Sequence, residues 1–134
     1  MKKSAFLSIS YSTKDILSSE IDTVVNSLTE SGFRTLVFVK EFSYSSTQEK
    51  EMMEKALEEI EKCNIFIAEV STKAIGVGIE IGYAKALGKP IIYLRNSKSE
   101  QSKTVAGIAD YIISYKNLDV LRDLLLKTVK NIKL

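Results

Sequence analysis

The sequence contains no histidine and no tryptophan, a single cysteine and a single proline. Without an imidazole, Ser-His-Asp and Cys-His sites are excluded, and so are zinc sites that use histidine. Acid–base or nucleophilic work therefore falls to carboxylates, tyrosines, lysines or hydroxyls, with carboxylates the first candidates. A lone cysteine cannot form an internal disulfide. Cys63 reads as a small buried hydrophobe in a reducing compartment, which points to a cytoplasmic location. No apolar run is long enough to span a membrane. The Lys2-Lys3 start leads into a short apolar run at 5–9, not into a secretory signal. An excess of one charge sign is missing too: 19 Lys and Arg against 17 Asp and Glu give +2. The lysines are scattered, so neither nucleic acid nor a membrane surface is implied as a partner.

The 134 residues present are enough for one core, and a single domain over 1–134 is expected. Apolar, β-branched runs recur at 5–9, 35–39, 65–70, 90–94 and 111–114, with amphipathic segments between most of them. Ile21, Val24, Val25 and Leu28 share one helical face, and Gly32 is placed to end that helix. Ser46 with Glu49 resembles a capping box opening a helix whose apolar face holds Met53, Ala56, Leu57 and Ile60. Asn117 can cap a last helix in which Leu121, Leu124, Leu125 and Val129 point inward. The segment 96–103 is polar and reads as a loop. Continuous apolar strands alternating with helices predict an α/β fold: a five-stranded parallel sheet covered on both faces, in a flavodoxin-like, three-layer arrangement. Ligands of such sheets bind beyond the carboxyl ends of the strands.

One stretch stands apart: Glu69-Val-Ser-Thr-Lys-Ala-Ile-Gly-Val-Gly-Ile-Glu-Ile-Gly-Tyr83. A strand ends in a carboxylate, breaks into small residues and re-enters a helix carrying a second carboxylate, Glu80. Gly76 and Gly78 lack a Cβ and permit close approach of a ligand to the backbone. Gly82 and Ala86 are spaced to let the helix lie tightly on a sheet. Glu80 then falls in the first turns of a helix, near its amide dipoles, where a carboxylate can remain ionised and nucleophilic. The Gly76-x-Gly78 pair is no dinucleotide fingerprint, because Ile81 stands where a third glycine belongs.

The same topology brings further groups to that edge. The first strand delivers Ser8, Ser10, Tyr11 and Ser12; the third delivers Glu69 and Ser71; the fourth delivers Arg95 and Asn96. A carboxylate, a tyrosine, hydroxyls and amides converging on one edge suit a sugar or sugar phosphate. Spacing alone leaves a second reading for each: Glu80 as a solvated helix residue, Tyr11 and Tyr83 as partly buried packing, the serines as turn formers. The acidic run 49–61, interspersed with lysines, reads as a solvated face.

Glu69-Val-Ser-x(4)-Gly-Val-Gly-Ile-Glu-Ile-Gly-Tyr-Ala-x-Ala-Leu-Gly-Lys-Pro resembles the core of the nucleoside 2-deoxyribosyltransferase superfamily. It is most similar to the branch containing 2′-deoxynucleoside 5′-phosphate N-hydrolases. A weaker likeness runs through Thr104-Val-Ala-Gly-Ile-Ala-Asp110 and the final helix. The resemblance implies that Glu80 attacks C1′ of the sugar and forms a glycosyl-enzyme, resolved by water or by an acceptor base. It implies a nucleoside or nucleoside monophosphate as substrate, no metal or organic cofactor, and a homodimer in which Thr104 reaches the neighbouring subunit's site. Ser10, Ser12, Lys73 and Thr104 become phosphate-ligand candidates; Tyr11 joins Glu80 as a catalytic candidate; Ser8, Glu69, Ser71, Gly76 and Gly78 complete the substrate-binding set. Two positions depart from the family pattern. Ala56 stands where an aspartate assists the leaving base, and Ala74 where a serine helps hold the phosphate. Glu59, one turn beyond Ala56, is the available substitute acid.

A second resemblance competes. Phe6-Leu-Ser-Ile-Ser-Tyr-Ser-Thr-Lys-Asp15 is similar to the first-strand box of TIR domains, some of which cleave NAD with a helical glutamate. A catalytically silent nucleotide-binding module is the third alternative, made credible by Ala56.

Overall fold

The structure, a computed structural model, describes residues 3–134, so Lys2 of the basic start lies outside them. In chain order come β1 (Lys3–Ile9), one 3-10 turn (Tyr11–Thr13), α1 (Ser18–Glu30), β2 (Phe33–Val37), α2 (Phe38–Glu41) and α3 (Glu49–Lys62). Then follow β3 (Ile65–Glu69), α4 (Ile75–Ala86), β4 (Ile91–Asn96), α5 (Lys103–Ile108), β5 (Tyr111–Tyr115) and α6 (Leu118–Asn131). The five strands are parallel in the order β2-β1-β3-β4-β5. This is the flavodoxin-like winding, with its switch point between β1 and β3.

Strand alternation divides the core into two layers. Leu7, Ile67, Leu94 and Ile113 face α1 and α6 and pack on Ile21 and Leu125. Phe6, Phe66, Ala68 and Tyr93 face the other way, beneath Ile60 of α3 and Val77 and Ile81 of α4. Burial on both faces is why the central strands β1, β3 and β4 are near-continuously apolar, whereas β2 and β5, at the edges, expose Arg34 and Ser114. Each fully buried Leu, Ile or Phe contributes roughly 1.5–3 kcal/mol. Cys63 lies in the second layer, where burial pushes its thiol up to about 11.

Several boundaries differ from the sequence expectation. β2 runs Phe33–Val37 rather than 35–39, because the chain turns into α2 at Phe38. The Glu41 carboxylate accepts from the Val37 amide at 2.7 Å and fixes that turn. The Ser46–Glu49 capping box does not form. Gln48 precedes α3 instead, and its side-chain oxygen accepts from the Ser45 amide at 2.9 Å. The segment 96–103 is not wholly loop: Asn96 ends β4, and Ser102 caps α5 by accepting from the Val105 amide at 3.2 Å. Leu124 is 37% exposed, whereas Leu121, Leu125 and Val129 point inward as expected. Gly32 does follow the end of α1, at φ +89°, and Asn117 does cap α6, accepting from the Val120 amide at 2.9 Å.

Candidate active site

Glu80 sits on α4, one turn beyond that helix's opening residues, and meets the carboxyl end of β1. The Ser8 hydroxyl donates to Glu80 Oε1 at 2.5 Å. Ser8 is a polar residue on the strand face that also carries Phe6, and only 2% of it is exposed. The strand pairing sets Ser8 beside Ala68, whose small side chain leaves room for the helix carboxylate to approach. Burial raises the Glu80 carboxyl above the ordinary carboxylate range, and the Ser8 hydrogen bond opposes that rise. Helix-dipole support fades beyond the first turn, so the Ser8 hydroxyl is the polar contact on which the ionised form rests.

Glu69 belongs to a different environment. It ends β3 on the face shared with Ile9 and Leu94, beneath α1 and α6. Tyr115 donates to its Oε2 at 2.5 Å, the Ser71 hydroxyl donates to Oε2 at 2.9 Å and the Ser71 amide donates to Oε1 at 2.7 Å. The Ser71 oxygen in turn accepts from the Asn96 amide at 2.8 Å. Burial raises the Glu69 carboxyl, with the Tyr115 and Ser71 hydrogen bonds opposing. Burial and the Glu69 carboxylate push the Tyr115 hydroxyl upward in turn. This network ties the carboxyl ends of β3, β4 and β5 together and braces the loop that leads to α4. Glu69 and Ser71, expected as substrate ligands, are thus spent on each other and on Tyr115. Tyr115 itself went unnoticed in the sequence; its signal is an aromatic at a strand end, whose buried hydroxyl needs a partner.

The other candidates scatter around the edge. Tyr11 projects from the 3-10 turn, 71% exposed, with the Lys14 ammonium 4.8 Å from its ring centre. It forms no hydrogen bond to Glu80, whereas the Ser8 hydroxyl does. Ser10 and Ser12 hydrogen-bond to each other at 2.9 Å, Thr104 is exposed on the first turn of α5, and Lys73 pairs with Glu100 at 3.4 Å. Gly76 and Gly78 lie within α4 rather than in a loop, and a Cβ at either would meet nothing of the chain within 4 Å. The tight packing expected of Gly82 and Ala86 is also absent. Both are exposed, and Val77, Ile81 and Ala84 form the face of α4 that meets the sheet. Arg95 turns back on its own loop, donating to the Ser99 carbonyl at 2.6 Å.

Ala56, at the position of the missing acid, is 1% exposed within the second core layer. Glu59 pairs with Lys55 at 3.1 Å, and Tyr83 donates to Glu61. A groove of about 570 Å³ opens at the opposite, amino edge between Pro90 and Tyr111. Three of its charged side chains are engaged internally, Lys85 with Asp110 at 3.8 Å and Lys89 with the Glu61 carbonyl at 2.9 Å.

Residues 17–118 match the nucleoside 2-deoxyribosyltransferase family, and the chain belongs to it. That match favours the first resemblance over the TIR-like one, whose box at residues 6–15 lies wholly outside the matched span. A 5-hydroxymethyl-dUMP N-hydrolase of Rattus norvegicus is 39% identical over 59 residues, which are 42% of this chain and 36% of that protein. A Thermofilum pendens (strain DSM 2475 / Hrk 5) protein, whose name proposes a 2′-deoxynucleoside 5′-phosphate N-hydrolase, is 32% identical over 75 residues, 52% of each. The chain thus spans about half or less of the length of these relatives. The solved CMP N-glycosidase of Clostridium botulinum superposes with a TM-score of 0.69 over 92% of this chain and 98% of its own, at 22% identity. It shares the fold.

Proposed function

We propose that the chain cleaves the N-glycosidic bond of a nucleoside or nucleoside 5′-monophosphate, with Glu80 as nucleophile. The observation that carries this reading is the Glu80 carboxylate itself: partly buried at the carboxyl edge, held by one hydroxyl, and free of any ion pair among the described residues. A purely structural glutamate in such a setting would be expected to carry a cation or several donors, as Glu69 carries three hydrogen bonds. In the first step a bond forms between a Glu80 oxygen and C1′, the C1′–N bond breaks, and its electron pair leaves on the base. Water then attacks C1′, regenerating the carboxylate and releasing the sugar; a second base in place of water gives transfer. The leaving base takes up a proton, for which Ala56 offers no group.

The reading extends to assembly and setting. Ile75 and Ile79 are 86% and 52% exposed on α4, and Gly82 and Ala86 continue the same outer face. This stripe suits a second copy of the chain, and a homodimer would bring the exposed Thr104 toward a neighbouring site. A lone thiol accords with a reducing, cytoplasmic setting. No helix among the described residues is long and apolar enough to cross a membrane.

The test is base release. The protein is incubated with a panel of nucleosides, their monophosphates and NAD, and free base is separated by chromatography. Release from a nucleoside or monophosphate is expected, lost by several orders of magnitude in Glu80→Gln. Nucleotide binding without release would favour a silent module, and nicotinamide release alone a TIR-like enzyme.

A further inference from the structure

Resting on that reading, we propose that Ser8 is a positioning residue for the nucleophile rather than a ligand of the substrate. It anchors Glu80 Oε1 and leaves Oε2 as the oxygen that attacks C1′. A serine hydroxyl has one hydrogen to donate, and that of Ser8 goes to Oε1 at 2.5 Å. With 2% of the residue exposed, its hydroxyl is buried where β1 meets α4. Glu80 Oε2 receives no hydrogen bond among the described residues, so the two carboxylate oxygens are inequivalent. A buried hydroxyl needs a hydrogen-bond partner, and the one that Ser8 has is Glu80.

The contact acts in two ways. It fixes the carboxylate rotamer, so that Oε2 points along one line. It also stabilises the ionised form over the acid, opposing the burial that favours the acid. Among the described residues Glu80 has no ion pair: Glu59 and Glu61 of α3 are engaged with Lys55 and Tyr83, and Lys85 of α4 with Asp110. Removing the Ser8 hydroxyl therefore removes the hydrogen bond that opposes burial.

The experiment compares wild type, Ser8→Ala and Ser8→Thr. The Glu80 side-chain carboxyl is followed by carbon NMR as pH is varied, and kcat and KM are measured across the same range with the monophosphate found to be turned over. In Ser8→Ala the Glu80 titration and the acid limb of kcat both move to higher pH. That variant loses about tenfold in rate on the acid side, as expected for one charge-assisted hydrogen bond, while KM is little changed. Ser8→Thr, which keeps the hydroxyl, restores both. An unmoved Glu80 titration, or a raised KM with an unmoved acid limb, overturns the proposal and returns Ser8 to the substrate ligands. The NMR titration needs no turnover, so the Ser8–Glu80 coupling is decided even if the glycosidase reading fails in the base-release test.

Discussion

Glu69 and Glu80 flank the same loop yet face opposite sides of the sheet. Glu69 closes against Tyr115 beneath α1 and α6, whereas Glu80 meets Ser8 on the side covered by α3 and α4. Burial raises both carboxyls, but Glu69 is met by three hydrogen bonds and Glu80 by one. An oxygen left unbonded supports chemistry at Glu80, and a closed network supports bracing at Glu69.

The bracing is open to a direct measurement. Tyr115→Phe removes one donor from a buried carboxylate while keeping the ring, so Glu69 loses hydrogen bonding without a cavity forming. The variant is expected to be less stable by about 1–3 kcal/mol in urea unfolding. Because the network lies across the sheet from Glu80, base release at temperatures where the variant is folded should change far less than in Glu80→Gln. A stability change below about 0.5 kcal/mol, the range of a surface substitution, would show that Tyr115 does not hold Glu69.

The pH dependence of stability follows from the sign of the Glu80 shift. Its folded-state carboxyl is raised above the ordinary value of 4.5, chiefly by burial. The native state therefore binds this proton more tightly than the unfolded chain does. As pH rises from 4.5 through the folded-state value, the contribution of Glu80 to stability is lost, and above that window the loss is constant. Glu80→Gln removes the charge and keeps an acceptor for Ser8. It is expected to be more stable than wild type at neutral pH, by about 0.5–2 kcal/mol as is common when a functional strain is relieved. The gain should shrink toward about pH 4. Parallel stability curves for the two proteins across that range would mean that Glu80 is not strained in the fold.

Much of this architecture was legible in the sequence, and the misses have physical causes. The central strands β1, β3 and β4 were legible as apolar runs because they are buried on both faces, and the edge strands β2 and β5 through their β-branched and aromatic residues despite exposed Arg34 and Ser114. Glu80 was legible from the small residues and carboxylate that follow β3. The face of Glu69 was not read: adjacent strand residues point to opposite layers, and Ser71 and Tyr115 meet Glu69 only after β3 and β5 are brought together. Tyr11 joined Glu80 as a catalytic candidate because it follows β1 at the carboxyl edge, yet the 3-10 turn leaves it exposed and it is Ser8 that contacts Glu80. The capping box is displaced by one residue: the side chain-to-backbone contact forms between Gln48 and the Ser45 amide rather than between Glu49 and Ser46.

The exposed stripe on α4 yields a prediction about assembly. If Ile75 and Ile79 are covered by a second copy, light scattering of the wild type should report twice the 15.0 kDa mass of one chain. Ile79→Arg, which places a charge in the middle of that stripe, should halve the mass without unfolding the chain, because Ile79 is already 52% exposed. Thr104→Ala should then affect base release only in the dimeric protein. A wild type that is monomeric at all accessible concentrations excludes the shared site.

Position 56 makes the sharpest statement about substrate. Breaking the C1′–N bond of a neutral purine or pyrimidine leaves the electron pair on the base, which then needs a proton; a positioned acid is worth about 10²–10⁴-fold. Ala56 cannot donate one, and it is 1% exposed in an apolar layer, so water does not substitute at that point. Glu59 is held by Lys55 at 3.1 Å. A base that already carries a positive charge departs neutral and needs no proton. The chain should therefore release 7-methylguanine from 7-methylguanosine 5′-monophosphate faster than guanine from GMP, by about 10²–10⁴-fold beyond the difference in uncatalysed reactivity. Single-turnover measurements with both nucleotides, referred to their spontaneous rates, give that ratio. Equal enhancement of the two would reveal an acid supplied from elsewhere, and Glu59→Gln would then be the first variant to separate it.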